Sequence, residues 1–284
     1  MANLLVVILL GIVEGLTEFL PVSSTGHLLL CEHLINRYWT KLDLDGDPFW
    51  KMFTVVIQIG AIASVVVYFR TRIVELLKRG RETPAGRPTP LMGVIVGTVP
   101  VLIIGYAIHK WVEAHLEKPL PVALALGIGG LIMLVVELLR PAVKTERVED
   151  MTWFQAIAIG CFQILAVAFP GTSRSAATII GGMTIGCSRQ TAAEFSFFLA
   201  IPAMSAACGY SFLKTVQEMI HAPGFSAHEF AGQMVLLAIG TIVSFLVAWA
   251  VIAAFMSYIR RRSFIPFAIY RLIAAAVVLW SAVA

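Results

Sequence analysis

Long apolar runs separated by short polar connections dominate the chain. Six of them predict full transmembrane helices, at about 52–69, 91–108, 121–139, 194–213, 230–257 and 266–283, each close to the ~20 residues that cross a bilayer. Gly60, Pro100, Pro202 and Gly240 fall inside these runs and are tolerable in membrane helices. Two further apolar segments are interrupted at their centres. The first, Leu4 to about Leu30, carries Glu14 and Glu18 and breaks at Pro21-Val22-Ser23-Ser24-Thr25-Gly26. The second, Phe154 to about Ile185, breaks at Pro170-Gly171-Thr172-Ser173-Arg174-Ser175. The halves on either side are too short to cross comfortably. Each segment therefore predicts a helix–loop–helix that dips into the membrane and returns, with its irregular turn surrounded by protein or a watery cavity.

The broken segments repeat one another. Gly11, Glu14, Pro21 and Ser24 match Gly160, Gln163, Pro170 and Ser173 at an offset of 149. Three predicted spans follow each copy, and an odd number per repeat turns the second half over. The expected fold is an all-α polytopic membrane protein, six transmembrane helices plus two re-entrant helix–loop–helix segments in an inverted-topology repeat. Repeat one covers 1–140 with its re-entrant segment at 4–30; repeat two covers 151–284 with its own at 154–190. Loop charge sets the orientation. Arg70, Arg72, Lys78, Arg79, Arg81 and Arg87, then Arg140, Lys144 and Arg147, then Arg260, Arg261 and Arg262 fall on one side. The other side has Lys110, Lys118 and Lys214, with Arg37, Lys41 and Lys51 in a connection that also holds Asp43, Asp45 and Asp47. The richer side is expected to be cytoplasmic, which puts both termini and the opening of the first re-entrant segment outside.

Composition agrees with this picture. Hydrophobic residues make up 59% and charged residues 13%, against about 25% charged in soluble domains. The net charge of +4 lies in short loops, and no basic face suggests nucleic acid. Cys31, Cys161, Cys187 and Cys208 form no CxxC pair or zinc spacing and read as small apolar packing residues. The start of the chain lacks a basic n-region, and Glu14 and Glu18 stand where a cleavage site is expected, so it does not read as a secretory signal. Asp43 to Asp47 fails the EF-hand pattern and reads as a solvated turn, and Gly171 to Ser175 lacks the last glycine of a hydrolase elbow. Arg271, near the start of the last span, reads as a snorkelling or paired arginine.

Ionisable residues at membrane depth are costly and point to function, and here they gather in the two breaks. Gly11, Glu14, Gly15 and Glu18 share one helical face, where glycine permits close backbone approach. Two such carboxylates repel unless one is protonated or a cation lies between them; hard oxygen donors suit Mg²⁺ or Ca²⁺. The first break reads as a helix restart capped by Ser or Thr, whose opening N–H groups can hold phosphate oxygens. His27 lies at i+3 from Ser24 and i+4 from Ser23, within reach of either hydroxyl, the minimum for nucleophilic catalysis. In the second break Thr172 or Ser173 can cap the next helix, Arg174 can bind phosphate bidentately, and Thr178 at i+4 can add a hydroxyl. An Arg174 pair with Glu14 or Glu18 is the structural alternative. The expected phosphate-binding set is Ser23, Thr25, Gly171, Thr172, Ser173, Arg174, Ser175 and Thr178, with Ser24, His27, Glu18 and Arg174 as the catalytic set.

Glu14-Gly-Leu-Thr-Glu18-Phe-Leu-Pro21-Val-Ser-Ser24-Thr-Gly-His27 and Pro170-Gly-Thr-Ser173-Arg174-Ser-Ala-Ala-Thr178 closely resemble the undecaprenyl-diphosphatase family of the bacitracin-resistance type. Glu194-Phe-Ser-Phe197 and the stretch from Ser263 to Arg271 also resemble it. The resemblance implies hydrolysis of undecaprenyl diphosphate to undecaprenyl phosphate and inorganic phosphate in the bacterial plasma membrane. It further implies lipid-carrier recycling for the cell wall, bacitracin resistance, divalent-cation dependence and an outward-opening site. It carries Glu14, Glu18, Ser24, His27, Ser173, Arg174 and Thr178 over as active-site positions. The expected partners are the polyprenyl diphosphate and membrane lipids, and the small-residue faces at Gly127/Gly130 and Gly181/Gly182 suit a homodimer contact. The inverted repeat also fits a transporter or flippase of polyprenyl phosphate.

Overall fold

The computed structural model describes residues 2–38, 44, 46–79, 86–116, 118–139 and 141–283. Lys41, Asp43, Asp45, Arg81 and Arg140, used above in the loop charges, lie outside them. The described residues form an all-helical fold: α1 Ala2–Thr17, α2 Ser24–Tyr38, α3 Pro48–Val56, α4 Gln58–Tyr68, α5 Arg70–Arg79, α6 Pro90–His115, α7 Pro119–Leu139, α8 Trp153–Ala168, α9 Arg174–Thr184, α10 Arg189–His221, α11 Ala227–Ile259 and α12 Ile265–Val283. Five helices are long and apolar enough to cross a membrane: Pro48–Tyr68 (α3 and α4 together), Pro90–Val112, Pro119–Leu139, Arg189–His221 and Ala227–Ile259. The sixth predicted span is α12, whose apolar stretch Ile265–Trp280 is shorter than those five.

Helix ends lie further out than hydropathy places them, because polar flanking residues cap the first turns. Thr89 accepts from the N–H of Met92, Ser188 from Thr191, and Ser226 from Glu229. Asp47 of the acidic connection accepts from the N–H of Phe49 at 2.8 Å and starts α3. The stretch 70–90 is not all loop either. Its first part is α5, which turns Leu76 into the core. Arg72 on α5 grips Glu149 with both terminal nitrogens, at 2.8 and 2.9 Å, and Glu194 with Nε at 2.8 Å. Charge density hides this helix from a hydropathy reading.

That fork fixes a pH response. Burial alone would raise the Glu149 carboxyl, but the Arg72 guanidinium outweighs it and holds the group below the usual carboxylate range. A depressed carboxylate stabilises the fold above its unfolded pKa, about 4.3, and loses that contribution as pH falls through the folded value. Thermal unfolding in detergent should therefore show a stability loss below about pH 4.3 that Glu149→Gln diminishes. An acid limb identical in that variant would remove Glu149 as its source.

Helix pairing explains the small residues. α1 packs on α11, α6 on α8, α7 on α12, and α4 on both α10 and α11. A β-carbon at Gly11 would stand 2.8 Å from the carbonyl oxygen of Gly240, and one at Gly15 would stand 2.7 Å from that of Ser244. Such contact substitutes for the hydrophobic drive that lipid does not supply. The faces at Gly127/Gly130 and Gly181/Gly182 are consumed in the same way. Gly127 faces Ala275, Gly130 faces Arg271 and Ala268, Gly181 faces Phe162 and Gly182 faces Ala192. These contacts pack the chain against itself.

Candidate active site

Both apolar segments break as the sequence predicts. α1 ends at Thr17 and α2 begins at Ser24; α8 ends at Ala168 and α9 begins at Arg174. Each restart is preceded by a serine in the left-handed region, Ser23 with φ 74° and Ser173 with φ 70°. This conformation is uncommon for a residue with a β-carbon and marks a constrained turn. The Ser23 hydroxyl accepts from the N–H of Gly26, and the Ser173 hydroxyl from that of Ala176. Of the two caps expected in the second break, Ser173 takes the role. The N–H groups of Ser24 and Thr25 on α2, and of Arg174 and Ser175 on α9, precede the first intrahelical bonds and have no acceptor within their helices.

The two breaks meet although roughly half the chain separates them. Ser175 Oγ donates to the carbonyl of Leu20 at 2.8 Å, and Arg174 Nη2 donates to Glu18 Oε1 at 3.1 Å. On the other oxygen, Glu18 Oε2 accepts from Ser24 Oγ at 2.6 Å. Arg174 Nη1 donates to the carbonyl of Ser196 at 2.9 Å, its guanidinium lies 5.3 Å from the ring of Phe19, and its Nε is buried without a hydrogen-bond partner. A cavity of about 450 Å³ opens on this cluster. Glu18, Ser23, Ser24 and Thr25 line it from the first break; Gly171, Ser173 and Arg174 line it from the second. At Gly171 (φ 98°) a β-carbon would run into the carbonyl of Val122, so only glycine lets this loop sit so close to α7.

Several expected roles change. His27 does not pair with Ser24. Its Nδ1 donates to the carbonyl of Ser23 at 2.6 Å, and its Nε2 meets the hydroxyl of Tyr270 at 2.5 Å; His27 is absent from the cavity wall. The side chain that meets the Ser24 hydroxyl is the carboxylate of Glu18. Thr178 also lies off the wall. Its hydroxyl contacts the Arg174 carbonyl at 2.8 Å and Ser196 Oγ at 2.6 Å, so it positions the arginine's support and does not offer a hydroxyl to phosphate. Thr172 and Ser175 are not part of the wall either, and Ser175 serves as the tie between the breaks. Glu14 is fully buried behind Glu18, with neither carboxylate oxygen hydrogen-bonded. Among the described residues no three His, Cys, Asp or Glu side chains cluster as a metal site.

Three contributors were missed. Ser196 anchors Arg174 and Thr178; its signal is a hydroxyl in an otherwise apolar span. Gln163, 2% exposed with Oε1 unpartnered, lines the cavity at the position that matches Glu14 in the repeat. Arg271 neither snorkels nor pairs with an acid. It is fully buried and donates to the carbonyls of Pro21 and Gly171, one in each break, both at 3.3 Å.

Fold and site together define a helical membrane protein with a buried serine–carboxylate–arginine centre. The chain belongs to the family described as bacitracin resistance protein BacA, whose model matches residues 7–277. It is 44% identical over 281 residues to an undecaprenyl-diphosphatase of Koribacter versatilis (strain Ellin345), with 96% of each chain covered.

Proposed function

We propose that the chain hydrolyses undecaprenyl diphosphate to undecaprenyl phosphate and inorganic phosphate, with Ser24 as nucleophile and Glu18 as its base. The observation that carries this is the 2.6 Å bond from Ser24 Oγ to Glu18 Oε2, beside an arginine that grips the other carboxylate oxygen. The diphosphate lodges against the N–H groups opening α2 and α9 and against Arg174, whose free Nε is a ready donor. Ser24 Oγ passes its proton to Glu18 and bonds to the terminal phosphorus as the bond to the bridging oxygen breaks. Glu18 returns that proton to the departing polyprenyl phosphate. Water then attacks the phosphoserine, giving a proton to Glu18, and Ser24 leaves with its oxygen and is reprotonated. Positioning and charge neutralisation do most of the work in phosphoryl transfer.

The donor set fits a hard divalent cation. Glu14 has two buried, unpartnered carboxylate oxygens beside Glu18, and Mg²⁺ characteristically takes one or two carboxylates and completes its shell with water and phosphate. Glu14 would supply the free oxygens, with Glu18 as second carboxylate only through the oxygen that Arg174 now occupies, and the cation would neutralise phosphate oxygens. Phosphate release in detergent should fall about tenfold or more with chelator and return with Mg²⁺ or Ca²⁺, Glu14→Gln requiring more cation. Release indifferent to chelator would remove the cation from the scheme.

The finer membrane arrangement belongs to the same proposal. α1 and α8 have 16 residues each, about 24 Å at ~1.5 Å per residue, short of the ~30 Å hydrocarbon layer. This supports two re-entrant segments, with α12, 19 residues over its full length and about 28 Å long, as a sixth span. The pairings α1–α11 and α8–α6 exchange under the repeat, as halves related by a two-fold axis do. Purified protein in detergent has no sidedness, so inorganic phosphate release there tests hydrolysis separately from any lipid movement. Protein that binds the diphosphate without releasing phosphate would overturn the proposal.

A further inference from the structure

The cavity extends well beyond its charged end. From Arg174 and Ser24 it continues as an apolar lane between α6, α8 and α10, past Val101, Val167, Ala203 and Ala207, and ends at Tyr106, His109 and Tyr210. On α6, residues 101, 105 and 109 share one face, and on α10 residues 203, 206, 207 and 210 do the same. Ala203, Ala206 and Ala207 keep the α10 side of the lane low. Pro100 and Pro202 lie inside the two helices where the lane begins, and each forfeits the bond to the carbonyl four residues earlier.

The three residues at the far end form one aromatic group. Ring centroids lie 5.5 Å apart for Tyr106 and His109, 6.1 Å for His109 and Tyr210, and 6.3 Å for Tyr106 and Tyr210, with Tyr210 edge-on to both partners. His109 Nδ1 donates to the carbonyl of Tyr106 at 2.6 Å, which fixes the imidazole on α6. The group carries no acid, yet Tyr106 is 71% exposed and Tyr210 49% exposed. Both tyrosine rings therefore remain open to a molecule entering the cavity.

We infer that Tyr106, His109 and Tyr210 form a collar that seats the prenyl chain of the substrate and sets chain-length preference. The inference rests on the lipid-diphosphate reading of the charged end. One occupant suits the whole cavity: an anionic head joined to an unsaturated hydrocarbon, with the head at Arg174 and the tail leaving between α6 and α10. Aromatic faces and edges pack well against the flat, methyl-bearing double bonds of a prenyl chain. Tyr106 and Tyr210 are accessible, so truncating them leaves the buried core intact.

Binding and hydrolysis are measured separately. Dimethylallyl, farnesyl and undecaprenyl monophosphates are titrated onto the purified full chain in detergent, and the matching diphosphates are assayed for phosphate release. In the native protein affinity should rise with chain length. In the double variant Tyr106→Ala/Tyr210→Ala the gain between the dimethylallyl and undecaprenyl ligands should shrink about tenfold, and Tyr106→Phe/Tyr210→Phe should keep it. A chain-length dependence untouched by the alanines, or equal weakening at every length, would overturn the collar. Length-dependent binding with no phosphate release would instead sink the hydrolase reading and leave the collar standing.

Discussion

Replacing Ser24 with alanine should lower kcat by about 10³-fold or more and leave KM nearly unchanged. The substitution deletes one hydroxyl at a buried position and disturbs no helix packing, so lost activity would not reflect lost fold. The groups that hold the diphosphate, Arg174 and the N–H groups opening α2 and α9, all survive it. Glu18→Gln should fall by a comparable factor, because an amide accepts the serine proton poorly. The double variant should be little worse than either single one, as expected of residues acting as a unit. Single-turnover reaction of the native protein should leave transient phosphate on Ser24, detectable by mass spectrometry of a quenched digest. Near-normal turnover by Ser24→Ala would return the attack to water and make Glu18 its base.

How Ser24 meets its base also shows where sequence reading stops. The breaks themselves are legible, because proline, glycine and hydroxyl residues in an apolar run have few other meanings at membrane depth. The convergence of Glu18 with Arg174 is legible too, as buried charge seeks a partner. The partner of the hydroxyl is not. Helical spacing puts His27 within reach of Ser24, but the left-handed turn at Ser23 directs Ser24 Oγ back across the break to Glu18, six residues earlier. No periodicity carries that relation. Thr178 fails for a similar reason: i+4 spacing from Arg174 is right, but the hydroxyl turns to Ser196 on α10. α5 stays hidden because its stabilising contacts, Glu149 and Glu194, lie 77 and 122 residues away.

The residue least legible from sequence carries the other large prediction. Arg271 donates to four carbonyls, Leu126 at 3.2 Å, Ala125 at 3.4 Å, and Pro21 and Gly171 at 3.3 Å, so one planar guanidinium pins both breaks to α7. Arg271→Ala leaves the buried carbonyls of Pro21 and Gly171 without their donor, while those of Ala125 and Leu126 keep their partners inside α7. An unsatisfied buried polar group costs about 1–3 kcal/mol, and partial relaxation of the loops puts the expected loss near 3 kcal/mol or more. Catalysis should fall as well, since only the Ser175–Leu20 and Arg174–Glu18 ties then hold the two breaks in register. Arg271→Lys distinguishes these effects. A lysine keeps the charge but cannot span four acceptors, so it should recover part of the thermal stability in detergent while kcat remains depressed. Lysine activity equal to that of the native protein would show that charge alone, and not the planar clip, holds the site together.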